Sequence, residues 1–545
     1  MKRTSLLAVV CLVGLGVLAA RADFLGKSAA DWQKELNDPD AKVRRSAAFA
    51  LGRLGADARP AMRDLVRRLR DTEGGVRAMA ASALGDIVKA LNGDALDVWK
   101  EASGMLRQVL ENDEDAHVRR AAAYALGTFG PRGAPAAPYL RTALSDDSAM
   151  VRQNAAWALG QIGEGAGEAV GELCERLKDK DVLVRRDAAG ALGSMGKDGT
   201  ESVAPLIRLV ESEPDEVVKK TALDSLAHLA GPKHKKFASG LEPLLEDKDA
   251  EVSLGAATVL ARIGGSESAR ALPVLRKALK DPDPEVRQKS AASLSNLGPA
   301  AAPAKFDLAD ALSDDKNPAI VRRYAALAIA HIGKEAKPVV PALVKALQAN
   351  EPQDIRRYAA EALAQMEYPA NEKALPVILK TIANDADPLV RQKCVWSLFQ
   401  LGSPRDPKPF LDCGADRVLT KLLDEQGFDL SRYDAARKLA QVLGADAPDK
   451  AADVLLTMLQ SKGLNVYNGT DATVTGANTE AAAGKVNVKE NLGGDARYMA
   501  VEALGWMKGK ARARKDVMEA LRKAAEDKDA KLRKTAKEAL DNLAN

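Results

Sequence analysis

The side chains able to do covalent or metal chemistry are few and scattered. The 545-residue chain has four histidines, His117, His228, His234 and His331, and four cysteines, Cys11, Cys174, Cys394 and Cys413. There is no His-Glu-x-x-His helix, no phosphate-cradling P-loop, no Cys-x-x-Cys-His haem site and no Gly-x-Ser-x-Gly elbow. Cys174 lies in the apolar helical segment Leu173-Cys-Glu-Arg-Leu177 and Cys394 takes the place of a core Ala, so both are expected to be small buried hydrophobes. Cys413 is the one thiol expected to be accessible. The reading is therefore a chain without catalytic residues, metal or cofactor.

The side chains that recur at fixed places are aromatic, basic and amide ones, and a repeat carries them. Asp146 to Gly163 reads Asp-Asp-Ser-Ala-Met-Val-Arg-Gln-Asn-Ala-Ala-Trp-Ala-Leu-Gly-Gln-Ile-Gly. With Val151 as reference, fourteen copies fall in register at 43, 76, 118, 151, 184, 218, 252, 286, 321, 355, 390, 431, 496 and 532. Most neighbouring references lie 33 to 35 residues apart, a period that means stacked supersecondary units burying their apolar faces on one another. Four residues after the reference, Ala stands in twelve copies, the others being Ser290 and Cys394; eight after it, Leu stands in thirteen, with Ile329 the exception. This is helical spacing, and these positions face the stack. The ninth position is small in twelve copies, as Gly52, Gly85, Gly127, Gly160 and Gly193 illustrate, which sacrifices helix propensity for close approach.

Each copy is expected to hold two helices. The first is represented by Leu272 to Leu279, with a proline allowed in its first turn; the second is represented by Val286 to Leu294. Between them stands an Asp-rich or Pro-rich turn such as Asp281-Pro-Asp-Pro284, whose acids suit the orphan amides at the second helix's start. Ser28 is expected to cap an initial helix carrying Trp32 and Leu36. Only 4% of residues are aromatic and 29% are charged, which agrees with an all-α protein.

An Asp five residues before the reference and an Arg directly after it, as in Asp38/Val43/Arg44, Asp146/Val151/Arg152, Asp179/Val184/Arg185 and Asp281/Val286/Arg287, resemble the signature of HEAT repeats. The resemblance is strongest to the short bacterial kind also found in phycobilin lyases, and covers nearly all of the chain after the first residues. It implies a right-handed α-α superhelix, an α-solenoid, of about fourteen helix pairs. It further implies that Arg44, Arg77, Arg119, Arg152, Arg185, Arg287, Arg322, Arg356 and Arg391 join successive repeats in a ladder, while Lys219 and Ser253 depart from it. The HEAT-like deoxyhypusine hydroxylases bind iron through paired His-Glu motifs, and no histidine here is followed by Glu.

Residues two, three, six and ten after the reference fall on a side of the second helix that the core does not claim. The resemblance implies that this helix lines the concave surface. The candidates for partner binding there are Arg45, Phe49, Arg120, Tyr124, Gln153, Trp157, Gln161, Arg323, Tyr324, His331, Arg357, Tyr358, Gln365, Trp396 and Gln400. Aromatic anchors, basic flanks and amide hydrogen bonding are what binding hot spots use. The competing reading is that the aromatics fill gaps between adjacent second helices and the charges form an ordinary solvated face.

The N-terminus reads as an export signal, residues 1–22: basic Lys2 and Arg3, an apolar run from Leu6 to Ala20, and Ala20-Arg21-Ala22 before Asp23. At fifteen residues the run is short for a membrane span. The formal charge of +4 falls to +1 without residues 1–22, which removes the global electrostatic case for nucleic acid or an anionic membrane. A regular array is expected over 23–402, a divergent repeat with a Pro-rich connection over 403–460, an irregular insertion over 461–494, and closing repeats with a charged cap over 495–545. Asn468-Gly-Thr470 in the insertion matches a glycosylation sequon. The expected function is a monomeric, periplasmic or secreted scaffold or assembly protein, binding a protein or peptide along its groove. The alternatives are a lyase-like or chaperone-like protein handling a small molecule or cofactor, and a nucleic-acid binder.

Overall fold

The computed structural model describes residues 23–91, 96–348, 350–366, 369, 371–424, 430–460 and 496–544. The expected export signal and the 461–494 insertion with its sequon lie outside them. Among the described residues the structure is helical, with two isolated β-bridges, Phe24 to Lys27 and Ser403 to Asp406, and no strand. No described helix is long and apolar enough to cross a membrane. The chain divides into two compact units, Met1–Val274 and Leu275–Asn545.

In the first unit, copies one to seven place their second helices at Ala41–Leu54, Gly74–Ala90, Ala116–Gly127, Ala149–Ile162, Val182–Gly193, Glu216–Leu229 and Ala250–Ile263. Each begins after a residue in extended conformation. In copies one, three, five, six and seven that residue is an Asp, whose carboxylate accepts amides of the first turn, as Asp181 does from Leu183 and Val184. The helices of copies one and four stop where Gly55 and Gly163 adopt φ of 56° and 69°, a left-handed turn that costs a glycine little, and their equivalent Gly130, with φ of 55°, turns the chain just past the end of copy three's helix. A 3-10 segment the sequence reading did not anticipate, such as Gly163–Ala169, then leads into the next first helix, here Val170–Arg176. In copy seven the first helix is itself replaced by a 3-10 run, Pro232–Glu246, interrupted by Pro243. At the start, Ser28 and Asp31 form a capping box on Ala29–Glu35, and Trp32 is buried.

The predicted core is the observed one. Val151, Ala155 and Leu159 are fully buried, as are their counterparts Val184, Ala188 and Leu192. Gly at the ninth position admits the seventh residue of the following copy: a Cβ on Gly160 would lie 3.0 Å from the Ala191 Cα, and one on Gly127 would lie 2.7 Å from the Ala158 Cα. Second helices therefore pack closely on one another, and the first helices less so.

Ladder rungs form as expected at Arg44, Arg77, Arg119, Arg152 and Arg185, and in the second unit at Arg287, Arg322 and Arg356. The Arg152 guanidinium donates Nε and Nη2 to the two Asp179 oxygens at 2.7 and 2.8 Å, while its Nη1 donates to the Asp146 carbonyl of its own copy. Arg44 reaches Asp71, Arg77 reaches Asp113, Arg119 reaches Asp146 and Arg185 reaches Glu213 with the same two-point geometry. Burial alone would raise the Asp179 carboxyl, but the Arg152 hydrogen bonds and the Asp181 amide hold it below the usual carboxylate range. Lys219, which departs from the arginine pattern, still makes a rung, its ammonium lying 3.2 Å from Asp247. Ser253 does not keep it: its hydroxyl donates to the Ala250 carbonyl on its own helix.

In the second unit the second helices run Pro284–Leu297, Ala319–Ile332, Gln353–Met366, Pro388–Trp396, Leu430–Leu443, Ala496–Trp506 and Ala530–Ala544. Rungs persist: Arg356 to Asp385 and Arg497 to Asp527 keep the usual acceptor, while Arg287 to Asn317 and Arg322 to Glu351 have altered ones. Copy twelve, the poor match, is a full helix with an unusually polar interior. Tyr433, Asp434 and Lys438 are all buried in it. The last helix buries Leu532, Ala536, Ala539 and Leu543 and leaves its charged side wet, as a terminal cap should.

Candidate functional site

The candidate positions share the free side of the second helices, and the structure adds one more position to it. The residue before the reference stands four residues before the third position, so helical geometry places it on the same face. In copies four, five and six it is Met150, Leu183 and Val217, which are 41%, 42% and 56% exposed. The sequence reading missed them because it counted forward from the reference only; the same arithmetic run backward finds them.

In the first unit, Phe49 is 47% exposed and meets Phe24 edge-on. Tyr124 and Trp157 stack with centroids 5.3 Å apart. Each ring rests where the preceding copy has Gly: a Cβ on Gly85 would lie 3.0 Å from Tyr124, and one on Gly127 would lie 2.8 Å from Trp157. The two rings thus fill the spacing between neighbouring helices and remain half-buried. Burial and the hydrogen bond that the Tyr124 hydroxyl donates to Asp86 at 2.9 Å push this phenol up to about 12. Gln153 donates to Asp187 at 3.0 Å, which also pairs with Arg186; Gln161 is exposed. Arg45 is exposed beside Gly75, and Arg120 is half-buried with its Nε lacking a hydrogen-bond partner. Neither arginine has a carboxylate partner among the described residues.

In the second unit the same positions are engaged internally. The Arg323 guanidinium sits over the Tyr324 ring at 4.9 Å and lies 3.6 Å from Asp354. Arg357 donates to Asp387 at 2.5 Å and also approaches Asp354. Tyr358 is half-buried, and burial raises its phenol. The His331 Nδ1 meets the Ser295 carbonyl at 2.8 Å. The Trp396 indole donates to the buried Asp434 at 2.8 Å, beside Gln392, which donates to the same oxygen. Gln365 and Gln400 are exposed.

These residues form no enclosed reaction centre. The thiols are unsuited to nucleophilic work: burial raises Cys394, which is fully enclosed, pushes Cys174 up to about 11, and raises Cys413, whose S–H meets the Phe410 carbonyl. Cys413 is half-buried, and so is Cys174, which the sequence reading expected to be fully buried. Among the described residues no group of three His, Cys, Asp or Glu side chains is placed to hold a metal ion. A cleft of about 500 Å³ in the second unit is lined by Arg497, Asp516, Glu519, Lys523 and Asp527, none of them a predicted site residue.

Comparison with known proteins places the chain by sequence. The HEAT repeats family matches residues 29–103, 103–170, 138–227, 238–330 and 340–422, and the PBS lyase HEAT-like repeat family matches 321–349. No curated protein matches the chain. Among solved structures, an engineered protein is similar at 24% identity and TM-score 0.47, over 68% of this chain and 98% of that one. A chain from the structure in which Kap95p binding induces the switch loops of RanGDP to adopt the GTP-bound conformation is similar at 13% identity and TM-score 0.49, over 94% of this chain and 71% of that one. With HEAT matches over more than half its length, and the helix pairs and arginine rungs to go with them, the chain belongs to the HEAT-repeat family.

Proposed function

We propose that this HEAT-repeat protein is a non-enzymatic scaffold that holds a protein or peptide partner along the free face of its second helices. The observation that carries this reading is the exposure of Phe49, Met150, Leu183 and Val217 on that one face of the first unit. Isolated exposed apolar residues are ordinary, but Met150, Leu183 and Val217 stand at equal register in consecutive repeats, with Phe49 on the same face, and such an aligned set is what an interaction surface looks like. The close packing of second helices, permitted by Gly at the ninth position, supports this face being the inner, concave one. The residues 1–22 pattern supports a place of action outside the cytoplasm, as a monomer in the periplasm or medium.

Affinity capture from native envelope material tests the reading, comparing the parent chain with Leu183→Asp and with a first-helix control, Glu172→Lys. Loss of the captured partner with Leu183→Asp alone is expected. Equal capture by all three, with unchanged helical spectra, would remove this face from the function. Cell fractionation tests the location, and recovery of the chain solely with cytoplasmic markers would overturn it.

A further inference from the structure

The second-helix face of the first unit has an asymmetry that says what it would hold. In copies four, five and six, Met150, Leu183 and Val217 repeat at one register, each 41% or more exposed. In copies one and three the same face presents Arg45 and Arg120, cations without a carboxylate partner among the described residues. The basic residues at that register in copies five and six are already paired, Arg186 with Asp187 and Lys220 with Asp249 and Glu251. Unneutralised positive charge therefore stands at one end of the face and exposed apolar surface at the other, with the Tyr124 and Trp157 stack between them.

Building on the proposed docking role of this face, we infer that its occupant is an extended peptide segment in two parts, acidic over copies one to three and apolar over copies four to six. Packed helices lie about 8–10 Å apart and an extended chain advances about 3.3 Å per residue, so apolar side chains at roughly every third position match the repeat. Crossing six second helices takes on the order of 15 such residues. The acids supply charge-assisted hydrogen bonds to the exposed Arg45 and to the accessible part of the half-buried Arg120 guanidinium. Apolar side chains cover Leu183 and its neighbours.

The probe is a fluorescein-labelled synthetic peptide with Glu and Asp in one half and Leu at every third position in the other, titrated with the full chain by fluorescence anisotropy. Binding that weakens with added salt is expected, and weakens about tenfold or more in Arg45→Glu/Arg120→Glu and again in Leu183→Asp. A sister peptide with Lys for every acid should bind at least tenfold more weakly. Equal binding of the Lys peptide, or no binding of the acidic one, overturns the inference. A photo-crosslinker at position 183 separates the two levels. If it labels a native partner while the acidic peptide fails to bind, the acidic occupant is wrong and the docking face stands. If the acidic peptide binds but is not labelled from position 183, the docking face itself is wrong.

Discussion

The free faces of the two units use the same residue types for different ends. Arg45 and Arg120 in the first unit match Arg323 and Arg357 in the second by type and register, and Trp157 matches Trp396, while Tyr124 and the second unit's Tyr324 and Tyr358 share the same face at different positions. In the second unit, however, each arginine has an Asp within 3.6 Å, and Trp396 donates to a buried Asp434. In the first, two arginines lack acids, and four apolar side chains stand exposed on the same face. Surface composition does not make a binding surface; what matters is whether neighbouring copies have already satisfied it.

The largest test of this contrast is a pair of truncations. Trp396→Ala should cost about 3 kcal/mol or more, since it removes a packed ring and one of two donors to a buried acceptor, and Trp157→Ala about half that. Chemical unfolding midpoints compare them, and a larger loss at 157 would break the contrast. Next comes Lys438, fully buried with its Nζ donating to the Phe399 carbonyl at 2.9 Å. Burial lowers it from an ordinary 10.5 to about 7. Between those values the unfolded chain holds a proton that the folded one does not, so stability should rise as pH increases from about 7 toward 10.5, with the full cost present below 7. Lys438→Met should add about 2 kcal/mol at neutral pH and flatten that rise, read as thermal midpoints across the alkaline range.

A third test concerns spacing. Gly127→Ala should cost about 1–3 kcal/mol because its Cβ would meet Ala158 and Trp157 at 2.7 and 2.8 Å, whereas Gly171→Ala, with nothing within 4 Å, should be neutral or slightly stabilising. Equal effects in thermal melts would mean that the second-helix layer is not the tight one. The smallest test is Arg357→Ala against Arg45→Ala, with about 1 kcal/mol expected for the former and less than about 0.5 for the latter. Comparable losses would show that Arg45 has structural duties of its own.

The repeat period, the buried Val151, Ala155 and Leu159 register and the arginine rungs were legible because each is a local pattern multiplied along the chain. The rung at Lys219 was not legible because the pattern asks for a guanidinium, yet an ammonium can also reach Asp247. The 3-10 entries such as Gly163–Ala169 were missed because Gly, Ala and Pro there read only as a break. Of the site, residue types were readable and exposure was not. Whether Trp396 is free depends on Asp434, thirty-eight residues away and in a copy the pattern barely recognises. Met150, Leu183 and Val217 were within reach of the pattern, one turn upstream of where it was read.

Each charged rung divides its two charges across a copy boundary: Arg152 belongs to one copy and Asp179 to the next, and Asp146, in the same copy as Arg152, receives Arg119 from the copy before. A copy with complete rungs thus carries one plug and one socket; copy seven, with Ser253, lacks the plug. A gene duplication that inserts a whole copy, or a deletion that removes one, leaves all connections made, while an event of any other length strands a buried ion. Selection can lengthen or shorten such an array in whole steps almost without electrostatic penalty, which turns its length into a freely adjustable trait and leaves the individual copies to diversify at their free faces.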